Sequence, residues 1–484
     1  MYAKTLKHLT ILKDELEALL ETHSEKMLNT PNLELQDDIE RDVTERILDT
    51  IGNSLAGKAE SLKLGEKEPD AAVQRVVQSW GGPRTSTVIG ANGAKLPATS
   101  AALLNGTLAH FLDFDDTHLP SVLHPSASIV PAALAVAEET TASTARLKHA
   151  IAVGIEICNR LGMASYIPEI RNSLFFEKGF HATSICGTIG AAASAGVLYG
   201  LSPAQIADAM GIAVSMGAGV IEANRTGGTV KRIHCGWAAH SGITAAQFAR
   251  EGVTGPPTVL EGRFGFFQAY LDGRYDSAPI TDQLGIHWEL LRTVYKPYPT
   301  NHFTHPGIDC ALALRPHLTN LSEIKSITLG VAAPVMRTIA EPAEEKSNPR
   351  SGYHAKFSGP FTIAAALTGG GGLGIYLDDF GAGWDTPLRL ELARKVKVVA
   401  DERATEIFPK AFAAKLEIEL NDGTYLEHRV DASRGSEQSP LTREEVLLKF
   451  RLNAERILSP GQVDELLTQS SLTQDLSKFM DLLP

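Results

Sequence analysis

The sequence predicts a mostly α-helical protein, in which a large all-helical domain is joined to a smaller α+β domain. From residue 37 to residue 292, apolar side chains recur at helical spacing, and little strand pattern interrupts them. Segments rich in β-branched residues follow at 324–333, 395–399 and 416–430. The helical spacing returns after residue 441. We therefore expect residues 1–292 and 436–484 to form the helical domain, and residues 293–435 to form the α+β domain.

The helices of the first domain are placed from their apolar residues and from boundary signals. A helix over 37–58 carries an apolar residue at every fourth position, and Gly57 fits its C-terminal end. The segment 187–200 is dominated by Gly and Ala, so neighbouring backbones can approach it closely and we expect it to be central. The N-terminus resembles a short amphipathic helix with leucines on one side, Leu6, Leu9, Leu12 and Leu16. Further helices are predicted at 101–110, 126–139, 145–164, 203–220 and 238–251.

Turn signals organise the second domain. Residues 416–430 alternate apolar and polar side chains around Asn421-Asp422-Gly423, a pattern that predicts a β-hairpin. The glycine-rich run 369–374 lacks the GK[ST] of a phosphate-binding loop and follows a helical stretch instead of a strand. We interpret this run as a loop between elements.

Composition narrows the class of protein. The formal net charge of -12 argues against nucleic acid as a partner, because phosphate binding needs a basic surface. No uninterrupted apolar segment predicts a membrane span, and the N-terminus lacks the apolar core of a secretory signal. The 4 cysteines form no CxxC pair, which favours thiols in a reducing compartment. We expect an intracellular, cytoplasmic or mitochondrial, soluble protein.

The segment 110–125, HFLDFDDTHLPSVLHP, is the strongest candidate for chemistry. It mixes carboxylates and imidazoles with large apolar side chains and runs directly into an apolar helix. Buried pairs of such groups suit proton transfer, whereas a metal-binding or salt-bridged loop is the alternative. The acidic and imidazole residues of this segment are Asp113, Asp115, Asp116, His110, His118 and His124.

Four other segments gather histidines or lysines beside glycine or proline. His181 and Thr183 open the Gly/Ala helix, where free N–H groups suit an anion. Residues 227–236 hold three potentially cationic side chains between glycines, and 296–306 is a proline-stiffened loop at the predicted domain junction. The fourth segment is 353–358. An HExxH zinc motif and a GxSxG hydrolase elbow are both missing, so we expect neither a metal nor a serine nucleophile.

Taken in order, these segments resemble the MmgE/PrpD family, which includes 2-methylcitrate dehydratase, cis-aconitate decarboxylase and iminodisuccinate epimerase. The motifs are LDFDDTH followed by HPSAS, GFHATSICGTIGAA, GGTVKRIHCGWAAHSG, YKPYPTNHFTHPGIDCALAL and KFSGPFTIAAAL. The resemblance covers most of the chain from about residue 38. It implies a helical domain closed by an α+β lid, a homodimer, a small polycarboxylate substrate, and no cofactor, obligatory metal or membrane.

The same resemblance assigns roles to residues of the matching motifs. Asp113, His124 and His181 are implied to be catalytic. The implied substrate-binding residues are Thr117, Lys231, Arg232, His234, Lys296, His302, His305 and Tyr353. In decarboxylase-type members a histidine stands five residues after the lysine that matches Lys296, where this chain has Asn301. One extra residue also separates DFDDT from HPS.

These two departures make dehydration of 2-methylcitrate or a longer 2-alkylcitrate the first expectation, as acid/base elimination by a hydro-lyase. Decarboxylation of cis-aconitate is the second, and epimerisation of an imino- or aminodicarboxylate is the third. A non-catalytic carboxylate-binding protein is the alternative from another class. In each case, fixed cations and a helix N-terminus would offset the charge of the polycarboxylate.

Overall fold

The computed structural model describes residues 35–170, 172–223, 228–470 and 476–484. The chain forms two compact units, and the mostly α-helical prediction is confirmed. The helical unit comprises Met1–Phe111, Pro120–Thr293 and Asn453–Pro484, and the mixed unit comprises Leu112–Leu119 and Val294–Leu452. The amphipathic helix predicted at the N-terminus lies outside the described residues.

This division differs from the predicted one in two segments. Leu112–Leu119 and residues 436–452 group with the mixed unit, whereas the sequence pattern placed both in the helical domain. Leu119 packs in the apolar core of the mixed unit. Lys449 donates a hydrogen bond to the main-chain oxygen of Phe114, which links the two segments to each other. Neither contact leaves a signal in the local sequence.

The helical unit is built on α1 (Asp37–Leu64), α2 (Pro69–Trp80), α3 (Ala98–Ala109), α4 (Ser126–Thr140), α5 (Thr144–Met163), α6 (Ala182–Tyr199), α7 (Pro203–Val214) and α8 (His234–Arg250). Its shorter helices are Leu174–Glu177, Phe266–Leu271, Ala278–Thr281, Pro460–Gln469 and Leu476–Asp481, with 3-10 turns at Thr229–Ile233 and Glu289–Arg292. The unit is not strictly all-helical, because Ser86–Thr87 pairs with Lys95–Leu96 and Tyr166–Ile167 pairs with Asn172–Ser173. These two-residue ladders satisfy backbone groups within loops.

The Gly/Ala helix α6 lies in the middle of the helical unit. A Cβ at Gly190 would stand 2.5 Å from the carbonyl oxygen of Gly154 in α5, and one at Gly187 would stand 2.9 Å from Ser128 Oγ in α4. A Cβ at Gly242 in α8 would approach Ala191 Cβ to 2.5 Å. Among the described helices, α6 alone is long and apolar enough to span a membrane, yet nearly all of it is buried. Its composition therefore serves close helix packing.

Glycine also corrects one predicted boundary. Gly57 does not end the first helix, which continues to Leu64 and stops at Gly65. A Cβ at Gly57 would lie 2.6 Å from the carbonyl oxygen of Leu108 at the end of α3. This glycine is needed for a close approach of two helices, and that need cannot be distinguished from a helix stop in the sequence alone.

The mixed unit contains a four-stranded sheet with β1 (Ile324–Val331), β2 (Val396–Ala400), β3 (Ala414–Leu420) and β4 (Tyr425–Val430) in the order β4-β3-β1-β2. β1 and β2 are parallel and the other pairs are antiparallel. The predicted hairpin is confirmed, with Leu426 opposite Ile418. The glycine-rich run 369–374 forms a loop, as predicted.

The helices of the mixed unit pack their apolar residues with those of the sheet, in a core that includes Phe361, Leu329 and Ile418. The longer helices are α9 (His305–Leu314), α10 (Gly359–Thr368), α11 (Pro387–Lys395) and α12 (Arg443–Ala454), the last of which ends just inside the helical unit. The shorter helices are Met336–Ile339, Ala343–Ser347, Gly352–Ala355 and Glu402–Ile407, with 3-10 turns at His302–Thr304, Arg315–His317, Leu321–Glu323, Ala333–Val335 and Leu377–Phe380. Two-residue strands also occur at Thr117–His118 and Thr293–Val294.

All 4 cysteines are buried thiols. Cys158, Cys186 and Cys235 belong to α5, α6 and α8 of the helical unit, and Cys310 belongs to α9 of the mixed unit. Burial raises the pKa of Cys310 to about 12 and raises that of Cys186 further. The prediction of thiols instead of disulfides is confirmed.

Close packing of α3 against α8 predicts a severe effect of Gly236→Ala. The new Cβ would collide with the carbonyl oxygen of Leu103 and would stand 2.6 Å from Thr107 Oγ1, so the backbone must move. We expect a loss of more than about 2 kcal/mol in the free energy of unfolding, measured by urea denaturation. Gly461→Ala is the matched control, because nothing lies within 4 Å of its Cβ. An unchanged urea midpoint for Gly236→Ala would contradict the packing.

Candidate active site

Four imidazoles and one ammonium group come together in the helical unit, at the ends of its helices. His110 follows the last residue of α3, His124 stands two residues before α4, His181 occupies the N-cap position of α6, and His234 begins α8. Lys231 lies in the 3-10 turn immediately before α8. We call these five residues the imidazole cluster. All are buried except His124, which is half-buried.

Small residues and main-chain hydrogen bonds bring these helix ends together. A Cβ at Gly106 would stand 2.8 Å from Gly236 Cα, so α3 and α8 pack nearly backbone to backbone. The main-chain N–H of His181 donates to the oxygen of Gly219 at 3.0 Å. The hydroxyl of Ser184 in α6 donates to the carbonyl oxygen of His234 at 3.1 Å. The cluster is therefore fixed through backbone contacts as well as side-chain contacts.

Within the cluster, two short contacts connect the side chains in pairs. His181 Nδ1 lies 2.9 Å from His234 Nδ1, and Lys231 Nζ lies 3.1 Å from His110 Nε2. The ring centroid of His110 lies 5.7 Å from that of His181 and 5.5 Å from that of His124. The main-chain N–H of His124 donates to Thr183 Oγ1 at 3.1 Å. These distances form one continuous polar cluster.

Burial and the neighbouring charged groups disfavour protonation of two imidazoles in the cluster. The pKa of His181 is held well below 6.5, first by burial and then by the charges of Lys231, His234, His110 and His124. Burial, together with His110 and Lys231, lowers the pKa of His234 to about 4. Both rings are therefore neutral near pH 7. Because an ammonium group has only donors, a charged Lys231 requires His110 Nε2 to accept.

Arg232, which was predicted to bind substrate, makes contacts typical of a structural residue. Its Nη1 lies 2.5 Å from a carboxylate oxygen of Glu68, and its guanidinium stands 4.3 Å from the ring centroid of Phe111. Arg232 itself is buried, and its ion pair with Glu68 holds the 3-10 turn before α8 in place. Its role towards a substrate stays a prediction.

In the mixed unit, three buried lysines hold the acidic segment of the predicted site. The ammonium groups of Lys356, Lys296 and Lys449 donate to the successive main-chain oxygens of Leu112–Phe114, at 2.9, 2.8 and 2.8 Å. We call these three residues the lysine triad. Lys449 Nζ also stands 4.0 Å from the ring centroid of Phe114. This arrangement fixes the backbone that carries Asp113.

Asp113 adopts a left-handed backbone conformation, with φ of 55°. Its carboxylate oxygen Oδ2 lies 3.4 Å from Lys296 Nζ, and both side chains are almost fully buried. A left-handed aspartate is uncommon but tolerated, and the lysine hydrogen bonds compensate for its cost.

Two neighbouring histidines pack beside Lys296 in the mixed unit. The rings of His302 and His305 are 4.5 Å apart, and His302 also packs edge-on to Phe412. His305 Nε2 lies 3.2 Å from the carbonyl oxygen of Thr300. Burial and then Lys296 hold the pKa of His305 well below 6.5, although Asp113 opposes this shift. His305 is therefore a neutral, buried ring near pH 7.

The predicted site residues thus fall into two sets. The helical unit brings together His124, His181, Lys231 and His234, and it also holds Arg232. In the mixed unit, Asp113, Lys296, His302 and His305 lie together, while Tyr353 packs against Phe357 and Thr117 is buried in a two-residue strand.

The predicted set missed three side chains that complete these clusters. His110 belongs to the acidic and imidazole segment 110–125, but the family resemblance of the chain assigned no role to this residue. Lys356 lies in the segment 353–358, in which only Tyr353 was assigned a role. Lys449 is the one charged residue of the apolar run VLLKF, and this isolation was the signal that was available.

The chain is similar to known proteins along most of its length. Residues 24–278 match the family model of the MmgE/PrpD N-terminal domain, and residues 298–473 match the family model of the MmgE/PrpD C-terminal domain. The cis-aconitate decarboxylase of Mus musculus is 30% identical over 447 residues, which are 91% of this chain and 88% of that protein. The cis-aconitate decarboxylase of Homo sapiens is 32% identical over 405 residues, which are 81% of this chain and 80% of that protein. The cis-aconitate decarboxylase of Aspergillus terreus is 28% identical over 469 residues, which are 93% of this chain and 92% of that protein.

The buried contact between Lys296 and Asp113 predicts a large loss of stability in Lys296→Met. This change removes the ammonium group beside a buried carboxylate and a hydrogen bond to the Asp113 oxygen. We expect the free energy of unfolding to fall by about 3 kcal/mol or more in urea denaturation. Lys325→Met, which breaks an exposed ion pair with Glu419, should change it by less than about 1 kcal/mol. Equal effects of the two variants would refute this assignment.

The lowered pKa of His234 predicts how stability depends on pH. Below pH 6.5 the unfolded chain binds a proton here, but the folded chain does so only near pH 4. Because the unfolded state binds more protons in this window, the free energy of unfolding falls as the pH drops through it. Between pH 6.5 and pH 4 the free energy of unfolding should fall for both proteins. In urea unfolding, the fall for His234→Asn should be smaller than that for the wild type by roughly 2 kcal/mol. Parallel curves for the two proteins would contradict the shift.

Proposed function

Because the chain belongs to the MmgE/PrpD family, we propose that it is a lyase that decarboxylates cis-aconitate. The observation that carries this proposal is the similarity to cis-aconitate decarboxylases of three organisms at 28–32% identity, over most of each chain. The imidazole cluster supports it, since it combines an ammonium group with neutral imidazoles at the N-terminus of α6.

This proposal reverses the order that the sequence suggested. Dehydration of 2-methylcitrate or a 2-alkylcitrate was expected first, largely because Asn301 replaces a histidine. Asn301 Oδ1 accepts a hydrogen bond from the main-chain N–H of Phe303 and thereby caps a 3-10 turn. A local capping role explains this asparagine without reference to the reaction. Similarity across most of the chain outweighs two local departures, so decarboxylation now takes first place.

The reaction requires an anion site and one proton donor. Loss of CO2 breaks a C–C bond, and its electron pair shifts through the neighbouring double bond to a carbon beside another carboxylate. That carbon must then take up a proton, so the trianion and one proton give a dianion and CO2. The imidazole cluster supplies both requirements, because Lys231 is a cation and imidazoles are the commonest general acids.

Roles within the cluster follow from these chemical needs. Lys231 binds a carboxylate of the substrate, and the free N–H groups at the start of α6 stabilise negative charge that develops near them. His181, at the N-cap position of that helix, delivers the proton to carbon. His124, whose main chain is held by Thr183, contacts the substrate as the second imidazole.

Several further features stay predictions that rest on the sequence and on the family resemblance. These are the lid role of the α+β domain, the homodimer, the intracellular location, and the absence of a cofactor. The same holds for the catalytic role of Asp113 and for the substrate-binding roles of Thr117, Arg232, Lys296, His302, His305 and Tyr353.

The assigned reaction is tested by incubating the purified protein with cis-aconitate, citrate and 2-methylcitrate and following CO2 and product mass. We expect one CO2 for each cis-aconitate consumed and no loss of water from either citrate. His181→Asn and Lys231→Met should lower kcat/KM by about 100-fold or more, since each removes a group that acts on the reacting substrate.

His240→Asn is the control for these variants. His240 lies on α8, stacks on Trp237 and contacts the Thr99 oxygen, outside the imidazole cluster. Its kcat/KM should match that of the wild type. Dehydration of 2-methylcitrate without release of CO2 from cis-aconitate would overturn the proposal and restore the order that the sequence suggested.

A further inference from the structure

The contact between His181 and His234 joins the two rings through the same kind of nitrogen. Their Nδ1 atoms are 2.9 Å apart, so one Nδ1 must carry a hydrogen and the other must accept it. Both rings are buried, and their centroids are 5.0 Å apart. The pair is anchored at both ends, because His181 N–H donates to Gly219 and Ser184 Oγ donates to the His234 oxygen.

The protonation state of the two rings determines what the pair can do. When both rings are neutral, they share two ring hydrogens, one between the Nδ1 atoms and one on the Nε2 atom of the accepting ring. If one more proton enters, both Nε2 atoms carry a hydrogen and the Nδ1 contact is kept. His181 can then donate from Nε2 while His234 Nδ1 accepts from His181 Nδ1–H.

The surroundings decide when the extra proton can enter. Lys231, His110, His124 and His234 all act against a positive charge on His181, and His110 and Lys231 act against one on His234. Without a bound anion, both rings of the pair are therefore neutral near pH 7. A tricarboxylate bound at Lys231 brings negative charge into the same cluster and reverses the sign of the local field.

We propose that His234 is the positioning residue of His181: its Nδ1 accepts the hydrogen bond that lets His181 take up a proton when a tricarboxylate binds. This inference rests on the proposed function and extends it, because it identifies where the consumed proton is held. It also gives His234 a role different from the substrate contact that the family resemblance implied.

The proton balance closes over one turnover. Binding draws one proton from solvent onto His181. When the C–C bond breaks and CO2 leaves, the His181 Nε2–H bond breaks and a C–H bond forms at the carbon that receives the electron pair. The remaining hydrogen stays on His181 Nδ1 and points to His234 Nδ1, so the pair is again neutral. No other reactant is required.

Two amides at position 234 separate this role from simple packing. The side-chain oxygen of asparagine can occupy the place of the imidazole Nδ1, whereas glutamine places its amide near the position of Nε2. We therefore expect His234→Gln to lower kcat about 100-fold with KM changed less than about threefold, and His234→Asn to retain activity within about tenfold of the wild type.

The direct test is calorimetric titration of the wild type and both variants with tricarballylate, a saturated tricarboxylate that cannot react by this route. Titration at pH 7.5 in buffers of different ionisation enthalpy gives the number of protons taken up. The wild type should take up about one proton per site, His234→Gln less than half of that, and His234→Asn most of it. His240→Asn should behave as the wild type, and thermal unfolding verifies that each variant is folded.

The outcomes separate the two proposals. Binding by the wild type without proton uptake overturns the role of His234 and leaves the decarboxylase proposal standing. Equal uptake by folded His234→Gln and the wild type also overturns it. Proton uptake that depends on position 234, in a protein that releases no CO2 from cis-aconitate, supports the pair and refutes the reaction. If the wild type does not bind tricarballylate, the role of His234 is overturned, whereas the decarboxylase proposal is decided by CO2 release from cis-aconitate.

Discussion

The hydrogen bonds from the lysine triad to Leu112–Phe114 are the constraint on which the polar segment depends. Three buried ammonium groups take successive main-chain oxygens of one short stretch, and Lys296 also lies beside the Asp113 carboxylate. A buried charge without a hydrogen-bond partner costs free energy, so the main-chain oxygens stabilise the three ammonium groups. In turn, the ammonium groups satisfy these buried oxygens. The same segment supplies His110 and His124 to the helical unit. Within the mixed unit, these hydrogen bonds fix the backbone of residues 112–114.

The imidazole cluster depends on a second constraint, which is the small size of the residues around it. Helix ends can meet only if the helices themselves come close, and glycines at positions such as 106, 190 and 236 permit that approach. Burial then removes water from the rings and keeps His181 and His234 neutral. Geometry from backbone packing and protonation from burial thus act together. They create a buried cluster that combines one ammonium group with imidazoles, of which His181 and His234 are held neutral.

The sequence predicted most of the long helices because apolar periodicity and terminal signals are local, and it predicted the hairpin at Asn421-Asp422-Gly423 for the same reason. It did not predict α2, and it extended α7 beyond its end at Val214. It predicted less well where distant residues decide. Gly57 was interpreted as a stop, although its neighbour is the Leu108 oxygen far along the chain. Motif resemblance found His181 and Lys231, but nothing local indicated that His234 would meet His181. The mixed-unit partner Lys449 was missed because its contact spans 335 positions.

The four buried thiols give each unit an internal reporter of its own opening. Cys158, Cys186 and Cys235 are enclosed by the helical unit and Cys310 by the mixed unit, so a disulfide-exchange reagent reaches each sulfur only after local or global unfolding. Versions of the protein that keep a single cysteine would therefore reveal, from labelling rates alone, whether the two units open together or independently.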